Sequence, residues 1–217
     1  KNALPHGVLA GISLPGVADP VPKDVLAHLH SAEREHALTL GGFRQASYVG
    51  GRLAARVAQQ GLGRNPAPVL SDPRGAPLPP PGLALSISHK THLAVALAAR
   101  AELGSIGVDL ETLSPARPSV APRVLRAEEL AAVMALPEER QWTATVVRFS
   151  IKEAIYKALA PTLRRYIDFK EASVDPGVDG LATVVLHLES GPAPIELEAR
   201  YTWFDDVVLS SVRVRWS

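Results

Sequence analysis

Three short stretches of this 217-residue chain carry side chains that could do chemistry together. In Gly107-Val108-Asp109-Leu110-Glu111, the apolar set Ile106, Val108 and Leu110 alternates with the acids, so Asp109 and Glu111 share one face of a strand. Two residues along a strand is about 6.6 Å, which lets two carboxylates reach one hard cation. The same pair would otherwise be solvated acids on an edge strand. Gly107 is expected to leave room beside them. In Phe149-Ser150-Ile151-Lys152-Glu153-Ala154-Ile155-Tyr156-Lys157, the residues Val147, Ile151, Ala154, Ile155 and Ala158 make a buried helical stripe. Phe149, Glu153 and Lys157 are left together on another face. As a surface ion pair, Glu153 and Lys157 would contribute only about 0.3 to 0.5 kcal/mol. Ser88-His89-Lys90 ends a strand in a polar turn whose hydroxyl, imidazole and ammonium can all hold phosphate oxygens.

This is a kit for phosphate chemistry: three carboxylates for a divalent cation, a lysine beside the third, and basic groups elsewhere. A Mg²⁺ ion bridging phosphate oxygens would neutralise charge on a leaving group, and an attacking hydroxyl would need only positioning and a nearby base. The chain has no cysteine, which excludes a disulfide framework, a thiolate zinc site and a cysteine nucleophile. Any metal must take oxygen or imidazole ligands. No serine or histidine sits in a nucleophile-elbow pattern.

Charge is unevenly spread. The net charge is +1, yet residues up to Glu102 hold 10 basic and 6 acidic side chains, and those beyond it 13 and 16, so the halves are +4 and −3. No Asp or Glu falls between His36 and Ser71, where Arg44, Arg52, Arg56 and Arg64 occur. The first half therefore reads as an anion binder, against the simpler alternative of a solvated arginine-bearing helix.

The elements that must position these groups can be read from periodicity. Ser31 as an N-cap, with Glu33 and Glu35 in the first turn, predicts a helix to about Leu40. Val49, Leu53 and Val57 recur every four residues and predict a helix from Phe43 to Gln60, on which Arg44, Tyr48, Arg52 and Arg56 stack along one face. Asn65 to Gly82 is proline-rich and predicts an irregular loop. Leu83 to Ser88, Leu93 to Ala99 and Ile106 to Leu110 predict strands forming a small central sheet. Ala127 to Leu136 and Thr143 to Leu159 predict helices, the second stopped by Pro161. Thr183 to Glu189, Ile195 to Phe204 and Val207 to Trp216 predict an antiparallel meander. The layout is α+β, with helices and a few strands in each half, 1–102 and 103–217. No apolar run approaches the ~20 residues of a membrane span and the N-terminus has no signal pattern, so a cytoplasmic protein without a membrane role is expected.

The ordered set Ser88-His89, then Gly107-x-Asp109-x-Glu111, then Lys152-Glu153-Ala154-x-x-Lys157 resembles the 4'-phosphopantetheinyl transferases of the large pseudodimeric, surfactin- and enterobactin-type class. Tyr48-Val-Gly-Gly-Arg52-Leu-Ala-Ala-Arg56 and the loop Pro73 to Gly82 extend the resemblance upstream. It implies two similar α+β halves about a pseudo-twofold axis, each a small, mainly antiparallel sheet packed with helices. It also implies transfer of the phosphopantetheine arm of coenzyme A to a serine hydroxyl of an apo acyl, peptidyl or aryl carrier protein, with release of adenosine 3',5'-bisphosphate. By resemblance Asp109, Glu111 and Glu153 bind Mg²⁺ or Mn²⁺, Glu153 or a metal-held water is the base, and Lys157 stabilises the departing phosphate. Arg44, Arg52, Arg74 and His89 match coenzyme A phosphate contacts, and Gly75, Pro77 and Ser88 match the adenine side. The family implies a monomer. Its members serve fatty-acid, polyketide, peptide and siderophore synthesis.

Two other readings compete. A metal-dependent nuclease commonly places its acid and lysine two apart on a strand, whereas Glu153 and Lys157 are four apart on a helix. A charge of +1 with 5% aromatic residues also offers nucleic acid little to bind. A non-catalytic coenzyme A or nucleotide-binding module would bind without turnover, and Glu153→Gln would leave it unchanged.

Overall fold

The computed structural model describes residues 1–216. Contacts divide the chain into two units, Lys1–Gly104 and the remainder from Ser105.

In the first unit, β1 (Asn2–Leu4), β2 (Gly7–Ser13), β5 (Leu83–Lys90) and β6 (Leu93–Arg100) form an antiparallel sheet in the order β1-β2-β6-β5. Between them come α1 (Lys23–Leu26), α2 (Ser31–Leu38), α3 (Gly42–Gly61) and the short ladder of β3 (Leu70–Ser71) with β4 (Pro77–Leu78). His30 rather than Ser31 caps α2, and Glu33 closes the capping box by accepting the His30 amide at 3.1 Å. The face of α3 turned to the sheet is made of small residues. Ala54, Ala55 and Ala58 pack with Ala10, Ala96 and Ala98, and a Cβ on Gly51 would come within 2.9 Å of Ile87 Cγ2. Small side chains on both layers let helix and sheet approach closely, while Val49 and Leu53 pack with Leu26, Leu29 and Ala37. The proline-rich stretch is also more ordered than expected, since β3 and β4 pair within it.

The second unit contains β7 (Ser105–Thr112), α4 (Ala121–Val124), α5 (Ala127–Met134), α6 (Glu138–Leu163), β8 (Ala172–Pro176), β9 (Leu181–Leu186), β10 (Glu196–Phe204) and β11 (Val207–Arg215). Its antiparallel sheet runs β7-β11-β10-β9-β8. The first strand pairs with the last, so β7 belongs here and not to one sheet with β5 and β6 as its sequence position implied. Pro161 does not stop α6, which runs on to Leu163 and ends at Arg164 in the left-handed conformation. Both units are thus α+β, each with one long helix laid across an antiparallel sheet.

What fixes α6 on its sheet is both apolar and polar. Ile151, Ala154, Ile155 and Ala158 meet Val208, Val212 and Val214 of β11 in the main core. Trp142 Nε1 donates to the Leu113 carbonyl at 2.6 Å, and Lys157 Nζ donates to the Val108 carbonyl at 3.0 Å, so α6 runs antiparallel to β7 and is anchored at both ends. On the far side of α6, Lys152 Nζ donates to Glu129 Oε2 at 2.5 Å and to the Val124 carbonyl at 2.9 Å. Glu129 in turn accepts the Val174 amide at 2.7 Å and the Arg126 amide at 2.8 Å. This buried ion pair is hydrogen-bonded on both partners, the condition under which burying two charges is tolerable. Among the described residues, no helix is long and apolar enough to cross a membrane.

Candidate active site

The acidic strand owes its position to Gly107. A Cβ there would overlap the main-chain carbonyl of Ala154 and lie 2.9 Å from the Ala158 nitrogen. The room that Gly107 leaves is therefore taken at that position by the backbone of α6. Without a side chain at this one position, helix and strand make direct contact, and the face carrying Asp109 and Glu111 turns toward α6.

Asp109 is 4% exposed and Glu111 6% exposed, so these are not solvated edge-strand acids. Asp109 Oδ1 accepts the Lys157 ammonium at 2.7 Å. An ammonium has three donors, and Asp109 and Val108 take two, leaving a third N–H on a side chain that is 25% exposed. Glu153 lies one turn before Lys157 on α6 and is half-buried. The expected Glu153–Lys157 face exists, but its lysine is held by the strand.

Among the described residues, no group of three acidic or histidine side chains could hold a metal ion by itself. The donor set still fits magnesium. Asp109, Glu111 and Glu153 offer only hard oxygen ligands, and Mg²⁺ is normally held by one or two carboxylates, with waters and substrate phosphates completing its shell. Two buried hydroxyls, Ser150 Oγ and Ser210 Oγ, also have no hydrogen-bond partner among the described residues. Buried polar atoms of that kind call for an ordered water or ion.

Arg44, Arg52, Arg74 and His89, which by resemblance match coenzyme A phosphate contacts, lie in the first unit. Arg44 is exposed near the start of α3, whereas Arg52 is 6% exposed. Arg52 Nη2 donates to Ser71 Oγ at 2.7 Å, and its guanidinium lies 4.3 Å from the centre of the Tyr48 ring. Burial pushes the Arg52 guanidinium below its ordinary value, opposed by Tyr48, and burial pushes the Tyr48 phenol up. Arg52 thereby ties α3 to the hairpin that carries Arg74, Gly75 and Pro77. That hairpin is a tight turn: Asp72 Oδ1 accepts the amides of Arg74 and Ala76, both at 2.8 Å, and Gly75 takes φ +84°. Arg74 is left exposed at its tip. Strand β4 lies against β5, which ends in buried Ser88 and exposed His89.

Residues 105–212 match the 4'-phosphopantetheinyl transferase superfamily, and residues 35–99 match the 4'-phosphopantetheinyl transferase N-terminal domain. The 4'-phosphopantetheinyl transferase Npt of Nocardia iowensis is 31% identical over 184 residues, 80% of this chain and 75% of that protein. The chain belongs to the 4'-phosphopantetheinyl transferase superfamily. Svp of Streptomyces mobaraensis, another 4'-phosphopantetheinyl transferase, is 31% identical over 169 residues, 71% of this chain and 65% of its own length. Among solved structures, the holo-acyl-carrier-protein synthase of Thermotoga maritima shares 21% identity at a TM-score of 0.43, covering 53% of this chain and 64% of its own.

Within this transferase, Asp109, Glu111, Glu153 and Lys157 fall in the superfamily segment, and Arg44, Arg52, Arg74, Gly75, Pro77, Ser88 and His89 in the N-terminal-domain segment. Periodicity alone did not single out the Lys152–Glu129 pair, the Arg52–Ser71 bond or Ser210. One signal for Ser210 was available: Val208, Ser210 and Val212 alternate as one strand face, and a serine between valines interrupts an apolar row.

Proposed function

We propose that this chain moves the phosphopantetheine arm of coenzyme A onto a serine hydroxyl of an apo carrier protein, with Asp109, Glu111 and Glu153 holding Mg²⁺. The observation that carries the site is the junction of β7 and α6, where Asp109, one of two buried carboxylates on one strand face, binds a lysine from the helix bearing Glu153. In the reaction the carrier serine oxygen forms a bond to the phosphorus bearing pantetheine. The P–O bond to the nucleotide breaks, and adenosine 3',5'-bisphosphate leaves. When bound, magnesium supplies positive charge to the pyrophosphate oxygens.

The chain's own residues do the rest. Glu153, half-buried on α6 one turn before Lys157, accepts the serine proton. Lys157, oriented by Asp109 and Val108, points its remaining N–H at the departing phosphate. Arg44, Arg74 and His89 offer exposed cationic or hydrogen-bonding groups to the phosphates of coenzyme A, and Arg52 holds the hairpin that carries Arg74. Gly75, Pro77 and Ser88 flank the adenine.

The test is incubation of the protein with coenzyme A, Mg²⁺ and a panel of apo acyl, peptidyl and aryl carrier domains, read by intact mass. A gain of the phosphopantetheine mass on at least one carrier supports the activity. No gain on any carrier, with coenzyme A binding intact, would leave a non-catalytic binding module.

A further inference from the structure

We propose that Ser210 and Ser150 are positioning residues of the carboxylate site, whose hydroxyls would bond the waters of a cation held by Asp109, Glu111 and Glu153; the inference rests on the metal-site reading above. Ser210 stands directly opposite Asp109 in the β7–β11 register. Residues paired in this way point to the same side of the sheet. Its neighbours on that face, Val208 and Val212, pack into the core with α6, so Ser210 and Asp109 face the helix together. Ser150 approaches from the helix, one turn before Ala154, whose carbonyl closes on Gly107.

Both serines are 0% exposed, and neither hydroxyl has a hydrogen-bond partner among the described residues. A lone buried hydroxyl is worse for folding than a methyl group, because it loses its bonds to water and regains nothing. Ser210 on β11, opposite Asp109, and Ser150 on α6, three residues before Glu153, each need a polar partner. Water on a hard divalent cation is a strong donor, and a serine hydroxyl can accept from it. A hydroxyl adds no charge of its own and takes no ligand position from the acids.

The experiment measures Mn²⁺ affinity by electron paramagnetic resonance in the presence of saturating coenzyme A, together with thermal melting of the metal-free protein. Wild type, Ser210→Ala, Ser150→Ala and Asp109→Asn are compared. Each serine variant is expected to melt at or above the wild-type temperature without metal, yet to bind Mn²⁺ about ten-fold more weakly, the lower end of the effect of outer ligand partners. Ser210→Thr, which keeps a hydroxyl, should recover part of the affinity. Unchanged Mn²⁺ affinity in both alanine variants, beside a loss in Asp109→Asn, overturns the role of the serines and leaves the metal site standing. A metal-free melting temperature that falls in both would make them fold residues. Equal Mn²⁺ binding by wild type and Asp109→Asn would overturn the metal site and this inference with it.

Discussion

Lys157 reaches from α6 to β7 and sets its ammonium 2.7 Å from Asp109 Oδ1 and 3.0 Å from the Val108 carbonyl oxygen. The pair does two things at once. It offsets part of the cost of burying Asp109, and it aims a cation that a helix-surface Glu–Lys pair would have left to wander in solvent.

Asp109→Asn keeps the shape and removes the charge, so transfer should fall by about 10²- to 10³-fold, as when a preorganised charge contact is lost. The protein should stay folded, because asparagine keeps the volume and the Lys157 ammonium left without its anion is 25% exposed to water. Steady-state transfer to a carrier domain, with a melting curve alongside, checks both. Glu153→Gln should behave alike, and wild-type turnover from either variant would remove these residues from the site.

Gly107→Ala puts a methyl group into the Ala154 carbonyl. The main chain of α6 cannot yield as a side-chain tip would, so the helix must lift and the variant should lose about 1 to 3 kcal/mol. Urea denaturation measures that loss, and transfer should fall with it as Lys157 leaves Asp109.

Lys152→Met leaves the Glu129 carboxylate buried without its cation, at a cost of about 3 to 5 kcal/mol. The double variant Lys152→Met with Glu129→Leu should recover much of that. A double-mutant cycle in urea reads the coupling, and additive losses would show that the pair is not acting as a unit.

Arg74→Ala removes an exposed cation from the hairpin tip. A phosphate contact made equally in ground and transition states should raise KM for coenzyme A roughly ten-fold with kcat unchanged. Collapse of kcat at saturating coenzyme A would give Arg74 another role. Arg52→Ala should differ, lowering stability as well, because it frees Ser71 and uncovers Tyr48.

Glu171 accepts two bonds from Arg165, at 2.8 Å and 2.5 Å, plus the Asp168 and Glu189 amides. The Arg165 bonds foremost hold its carboxyl at about 2, down from the ordinary 4.5. With the folded value depressed, this stabilisation is present above about pH 4.5 and is lost as pH falls toward 2. Melting temperature should therefore drop across that window, and Glu171→Gln should start lower at pH 7 and flatten the drop.

The amino-acid order by itself determined the long helices, most of the strands and the chemistry. Alternation placed Asp109 and Glu111 on one face, and helical spacing put Glu153 beside Lys157, because both depend only on the local period of the backbone. The count of charges alone set a +4 half apart from a −3 half. Tertiary structure decided where these local faces point. Pairing of β7 with β11 joins residues about a hundred positions apart, which no local pattern encodes, and it is what sets Ser210 opposite Asp109. That the room left by Gly107 is filled by a helix depends on Ala154, 47 positions further on. Arg52 read as one of a row of arginines for an anion, and nothing in its spacing set it apart from Arg44 or Arg56. Its burial follows from the hairpin folding over α3, since exposure is a property of what covers a residue, not of its neighbours in the chain.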